Sequence, residues 1–303
     1  MKKKILIIGA GYGGLSAAAL AAKKGFSVKV IEKNPQTGGR SQILKKEGFT
    51  FDMGPSWYLM PDVFERFFAK FNRKPDDFYK LKRISPNYRL FFEDGGSTDV
   101  PSDINSIYAL FDSLEPNGAK KLKKFLEVSS YQYRIAMDKF LYRKYDSILD
   151  VMDFQLITEG LKLNIFSSID SFVNRYFDSV KARQIVEYTM VFLGASPYNT
   201  PALYSIMSHV DFDLGVWYPE GGFNRVAKGY ESLAKEFGAE VNTNVNALKI
   251  IADKGKIRGV ETDKGFYESD IVISNADYHF TETALLEEKY CSVNEKKWKS
   301  KIL

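Results

Sequence analysis

The sequence has one cysteine, Cys291, and two histidines, His209 and His279, in 303 residues. A lone cysteine forms no internal disulfide, so nothing points to an oxidising compartment, and the expected setting is the cytoplasm. Neither histidine stands at metal-ligand spacing or beside a nucleophile, which speaks against metal catalysis; no metal is expected. No run approaches the roughly 18 apolar residues of a membrane-crossing helix, so membrane contact is expected only as peripheral binding at the inner face. Charge of one sign is also scarce: 43 basic against 38 acidic residues leave a net +5, and nucleic acid is not an expected partner. Repeats and low-complexity stretches are lacking as well. What remains is ordinary globular composition, 45% hydrophobic and 27% charged, in a chain long enough for about two domains.

The apolar run after the first lysines breaks at Gly9 and Gly11, with no small-residue cleavage site, so it reads as a strand and not as a leader peptide. Lys4–Ile8 suits a strand buried on both faces. Gly9, Gly11 and Gly14 follow in the pattern GxGxxG, with Gly13 inside it. The first glycine permits a tight turn, the second lets backbone approach a pyrophosphate, and the third lets helix pack on strand. The spacing predicts a helix over Leu15–Lys24, stopped by Gly25, whose N-terminus presents free N–H groups and the positive dipole end. A second strand, Ser27–Ile31, leads to Glu32, 21 residues after Gly11; an acid there accepts hydrogen bonds from ribose hydroxyls. The unit is a dinucleotide site.

The next residues bear on which dinucleotide. Glu32 is followed by KNPQTGGRSQ, which carries Gly38, Gly39 and Arg40, and then by GFTFDMGPSW, with Gly54, Pro55 and Ser56. From about residue 61 to 213 aromatic and lysine-rich segments replace the glycine-rich turns. Tyr88–Val100 reads as a hairpin turning at Asp94-Gly95-Gly96. Asn117–Tyr145 places Leu122, Phe125, Leu126, Tyr133, Ala136 and Phe140 on one helical face, and mainly helical segments are expected to follow to about Leu193. The lysines at 120, 121, 123 and 124 read as a solvated face, with anionic lipid as the competing contact. Strand and turn signals return after the turn PEGG: a helix ending at Gly238, strands at Lys249–Ala252, Ile257–Thr262, Phe266–Tyr267 and Asp270–Ser274, and the turn Asn275-Ala276-Asp277. The expected organisation is a discontinuous α/β dinucleotide domain, residues 1–60 and 214–303, with a mainly helical α+β substrate domain inserted at 61–213.

Three segments together, GAGYGGLSAA with E-K-x-x-x-x-G-G-R, then GFTFDMGPSW, then GVWYPEGG with SNAD, resemble the bacterial-type phytoene desaturases among the GG-doublet flavoproteins. The resemblance implies a Rossmann-like FAD-binding domain of the amine-oxidase type and FAD as cofactor. It implies FAD contacts at Gly9, Gly11, Gly13, Gly14, Glu32, Lys33, Gly38, Gly39, Arg40, Gly54, Pro55, Ser56 and Asn275, and through the backbone of Ala247. It further implies desaturation of an apolar polyene such as phytoene, by hydride transfer to flavin N5, with quinone or oxygen as electron acceptor. His209 and Asp211, just before the GVWYP turn, are the candidates for a base, with a structural role as the competing reading. Where relatives often carry Arg in the PxGG turn, Glu220 stands here. Family members continue past this point into a glycine-rich segment, so the chain is expected to be an N-terminal part that retains FAD weakly. The rival readings are a flavin amine oxidase or polyene saturase on the same fold, a non-enzymatic prenyl-binding relative of the Rab escort and dissociation-inhibitor kind, and a nicotinamide dehydrogenase.

Overall fold

A computed structural model describes residues 2–143, 167–293 and 298. The chain forms two compact units: residues 1–56, 65–81 and 218–303 make the first, and residues 57–64 and 82–217 the second. Residues 65–81, expected in the insertion, pack in the first unit for an aromatic reason. Phe67 stacks on Tyr230 at 4.7 Å and 13°, and Phe71 meets Phe237 at 5.0 Å.

The first unit is built on a parallel sheet. Strand β1 (Lys4–Ile8) pairs with Ile271–Ser274 on one side and with β2 (Ser27–Glu32) on the other, and Glu240–Thr243 lies beyond β2. Ile5, Leu6, Ile7 and Ile8 are all buried, as a central strand covered on both faces requires. Helix α1 (Tyr12–Lys23) starts three residues earlier than the glycine spacing suggested. It takes in Gly13 and Gly14, and at Gly14 it lies too close to the turn after β1 for any side chain: a Cβ there would stand 2.0 Å from the Gly9 carbonyl oxygen. Gly14, Leu15, Ala18, Ala19 and Ala22 form the buried face of α1. Gly25, at φ +87°, ends it in a paired cap, with Gly25 N–H donating to Ala22 and Phe26 N–H to Ala21. Helix Asn224–Glu236 packs against α1.

Two smaller β elements complete this unit. Strands β3 (Ile43–Lys46) and β4 (Phe49–Asp52) form a hairpin whose two tip residues, Glu47 and Gly48, both have positive φ, the tight turn that matches strand twist. Ala247–Asp253, Lys256–Thr262 and Gly265–Glu268 form an antiparallel sheet, extending the expected strands by one to three residues. It buries Ile250 and Val260 with Leu6, Ile31 and Val245.

The second unit packs around aromatics. Phe111, Phe125, Phe172 and Phe177 are buried with Ile107, Leu122 and Ile185. The expected hairpin is present as Tyr88–Phe91 paired with Ser97–Val100. Asp103 caps helix Ile104–Leu114 by accepting from Asn105 and Ser106 N–H, and Glu115 accepts from Asp178 and Ser179 N–H at 2.8 Å. Helix Gly118–Ile135 runs on as a π-helical stretch over Ala136–Leu141. Met137, one ordinary helical turn after the buried Tyr133, is buried where Ala136 was expected. The end of the expected helix, residues 144 and 145, and the helical segments expected up to 166 lie outside the described residues. Among the described residues no helix is long and apolar enough to cross a membrane.

Candidate functional site

A cleft of about 720 Å³ opens in the first unit where β1 and β2 end and α1 begins. Its floor is backbone. Gly9, at φ +96°, turns the chain out of β1, and its N–H donates to the Ile31 carbonyl at 2.8 Å. Gly11 caps α1 without a side-chain acceptor, and no acid stands in the first turn of α1. The α1 N-terminus is therefore left for an external anion.

The glycine doublet completes the floor. Gly38, at φ +115°, donates its N–H to the Ala10 carbonyl at 2.9 Å. Gly39 passes so near α1 that a Cβ on it would stand 3.2 Å from Gly11 Cα. Arg40 lines the cleft, is exposed, and has no carboxylate partner among the described residues. The segment GFTFDMGPSW meets the doublet from behind: a Cβ on Gly54 would stand 1.9 Å from the Arg40 carbonyl oxygen.

At the end of β2 the buried Glu32 carboxylate accepts from Ala10 N–H at 2.8 Å through Oε2, and from Asn34 N–H and Nδ2 through Oε1 at 3.0 and 2.8 Å. A carboxylate has about four acceptor sites. Glu32 thus locks the glycine turn to β2 and keeps capacity for a further donor. Helix Asn224–Glu236 holds the doublet loop from the other side. Asn224 Nδ2 donates to the carbonyls of Thr37 and Ser41 at 3.3 and 3.1 Å, and Thr37 donates its hydroxyl to Glu231 at 2.6 Å. Burial would raise the Glu231 carboxyl, yet hydrogen bonds from Lys228, Lys235 and Thr37 outweigh it and hold the group down at about 2.

Of the residues anticipated for the cofactor, Gly9, Gly11, Glu32, Lys33, Gly38, Gly39, Arg40, Ala247 and Asn275 line this cleft. Gly13 and Gly14 do not; they make room behind it, Gly13 for the Asn275 side chain, whose Oδ1 would lie 2.5 Å from a Cβ. Gly54 acts through Arg40, and Pro55 and Ser56 are exposed outside the lining. Tyr12, Asn34, Val245 and Asn246 line the cleft without having been anticipated. Asn34 was within reach of sequence reasoning, since Asn two residues past an acid readily bonds it; Val245 and Asn246 depend on the second sheet.

His209 and Asp211 belong to the second unit. His209 Nδ1 pairs with Asp213 at 2.6 Å on its own helical turn, and its ring packs on Tyr133. Asp211 is buried and accepts from the Tyr88 hydroxyl at 2.5 Å, and burial pushes its carboxyl up to about 7. Trp57 stacks on Tyr88 at 5.5 Å. Among the described residues no group of His, Cys, Asp and Glu is arranged to hold a metal ion.

The family model described as flavin containing amine oxidoreductase matches residues 12–298. Over 98% of its length the chain is 42% identical to a carotenoid 3,4-desaturase of Haloarcula japonica, covering 60% of that protein. It is 32% identical to a zeta-carotene-forming phytoene desaturase of Myxococcus xanthus, across 97% of the chain and 57% of the relative. The chain therefore spans about three-fifths of the length of these relatives. A solved oxidoreductase from Methanosarcina mazei shares the fold, with a TM-score of 0.60 at 19% identity over 95% of this chain and 62% of that one.

Proposed function

The chain belongs to the family of flavin-containing amine oxidoreductases, and from that premise we propose that its cleft holds FAD in an enzyme desaturating an apolar polyene such as phytoene, in carotenoid biosynthesis. The observation that carries the reading is the cleft floor. Glycines at 11 and 39 leave room for a pyrophosphate, the α1 N-terminus and Arg40 are unneutralised, and Glu32 retains an acceptor site. In this reading α1 and Arg40 hold the pyrophosphate, Glu32 takes a ribose hydroxyl, and Ala247 meets the adenine through its backbone. Asn275 and Gly13 keep the glycine turn closed, while Gly54 sets Arg40. The polyene substrate is taken from the desaturases this chain resembles.

Bound FAD would supply acceptance of a hydride at N5, with the proton lost from the neighbouring carbon of the polyene and the electrons passed on to quinone or oxygen. What this chain supplies is position and electrostatics. The aromatic second unit suits a substrate with no charged group, and work at the inner membrane face, in the cytoplasm, would give access to such a substrate.

Titration of the purified chain with FAD, followed by flavin absorbance and fluorescence, tests the cofactor. Saturable binding, at least tenfold weaker for Arg40→Ala, is expected; absence of saturable FAD binding, or tighter binding of NAD, overturns it. Incubation of the holoenzyme with phytoene and with a polyamine, followed by product analysis, tests the substrate, and turnover of the amine alone would replace desaturation by amine oxidation.

A further inference from the structure

A second cavity, about 750 Å³, lies in the first unit between the β3–β4 hairpin and the Gly221-Gly222 turn that leads into helix Asn224–Glu236. It shares no lining residue with the nucleotide cleft. Strand alternation builds it. Ile43 pairs with Asp52 and Lys45 with Thr50, so these four share the face that lines the cavity. Leu44, Phe49 and Phe51 occupy the opposite face.

The charge balance of this cavity is uneven. Asp52 is the one carboxylate in the lining, and it is already engaged, accepting from the Tyr218 hydroxyl at 2.6 Å and from Phe223 N–H at 3.1 and 3.2 Å. It thereby occupies the start of helix Asn224–Glu236 as that helix's own anion. Lys228 is bound to Glu231 at 2.7 Å. Lys45 and Arg225 line the cavity with no carboxylate partner among the described residues. Gly221, at φ +80°, lets the Arg225 side chain lie against the turn, since a Cβ there would stand 3.1 Å from Nε.

We propose that this cavity binds the phosphate group of a small organic phosphate, with Arg225 as the forked donor and Lys45 as the point charge. Guanidinium matches a phosphate edge with two parallel hydrogen bonds, and ammonium adds attraction without fixed direction. Thr50 contributes a hydroxyl from the same strand face as Lys45. The volume exceeds that of one phosphate and falls in the range of small-molecule sites, leaving Ile43 and the Tyr218 ring for the organic part.

Inorganic pyrophosphate serves as the probe, titrated calorimetrically at low salt into Arg40→Ala chain, in which the nucleotide cleft is weakened. Saturable binding is expected there, falling at least tenfold when Arg225→Gln or Lys45→Gln is added. Both side chains are exposed, so unchanged circular-dichroism melts should accompany the loss. No saturable binding in Arg40→Ala, or binding indifferent to Arg225→Gln and Lys45→Gln, overturns the proposal. Pelleting with phosphatidylglycerol vesicles separates the sources of phosphate. Pelleting lost in the same two variants assigns the phosphate to a lipid headgroup, and pelleting absent or unaltered by them assigns it to a soluble molecule.

Discussion

Two buried carboxylates, Glu231 in the first unit and Asp211 in the second, are treated in opposite ways. In the first unit, Glu231 is met by two ammonium groups and a hydroxyl, which hold it down at about 2, and Glu32 is met by three N–H donors. In the second, Asp211 is enclosed by aromatic rings, and burial raises it to about 7 against the opposing hydroxyls of Tyr88 and Tyr188. Charge is supported where backbone and cations surround it, and suppressed where rings do. The first unit thus supports charge at Glu32 and Glu231, while burial at Asp211 in the second penalises it. The packing differs in the same way. Around the cleft, backbone meets backbone at glycines with no room for a methyl group; the core of the second unit is filled by interlocking side chains, with one comparable backbone approach at Gly118.

The largest expected effect breaks that contrast in packing. Gly14→Ala and Gly54→Ala would each force a Cβ to about 2 Å from a carbonyl oxygen, and each should destabilise the first unit by about 3 kcal/mol or more. Ile185→Val, which removes one buried methyl from the second unit, should cost about 1 kcal/mol. Urea denaturation of the three variants measures the order, and equal losses would show that the two units are packed alike.

A smaller effect tests the contrast in charge. The Asp211 carboxyl is raised in the folded state, so the fold binds a proton that the unfolded chain has released between about pH 4 and pH 7. Stability of the second unit should therefore fall as pH rises through that window, by an amount on the order of 4 kcal/mol, and level off above pH 7. Asp211→Asn should flatten the dependence. Trp57, stacked on Tyr88, gives a fluorescence signal for the transition, and a wild-type curve that rises over that window would refute the assignment.

These contrasts were unequally visible in the sequence. The cleft floor was legible because its demands are local: a glycine turn after an apolar strand, an acid at fixed distance, and a doublet with arginine each have few substitutes. The start of α1 was misplaced because helix propensity argues against Gly13 and Gly14, whereas the close approach of α1 to the turn after β1 requires glycine at 14. Asn224 and Glu231, which hold the doublet loop, stand 187 and 194 residues from Thr37 in sequence, and nothing in their own helix marks that role. Met137 replaced Ala136 because positions three and four residues after Tyr133 both fit a helical face, and the period alone does not choose between them. Residues 65–81 joined the first unit through aromatic contacts with Tyr230 and Phe237 that no boundary signal announced.

Glu231 provides the mirror image of Asp211. Its carboxyl is held below the usual range, so its contribution is present above about pH 4.5 and lost as pH falls toward 2. Glu231→Gln keeps the bond to Thr37 and removes the charge met by Lys228 and Lys235. Solvent around those half-exposed lysines screens the pair, leaving an expected loss of about 1 kcal/mol at pH 7. Thermal melts of wild type and variant should differ at pH 7 and converge near pH 2, and a gap that widens on acidification would contradict the charge pattern.

The smallest effect concerns the surface of the second unit. Lys120, Lys123 and Lys124 are exposed, whereas Lys121 is committed to Glu115 and Asp178 at 3.4 and 2.6 Å. That tie orders the start of helix Gly118–Ile135, because the same Glu115 also receives the N–H groups of Asp178 and Ser179. Only the other three lysines remain for an external anionic surface. Neutralising them to Gln should change stability by less than about 0.5 kcal/mol, and pelleting with phosphatidylglycerol vesicles should be unchanged. Lys121→Gln should cost more than the triple change, because it removes the cation beside a buried carboxylate. Reduced pelleting of the triple variant at unaltered stability would make this lysine face a membrane contact.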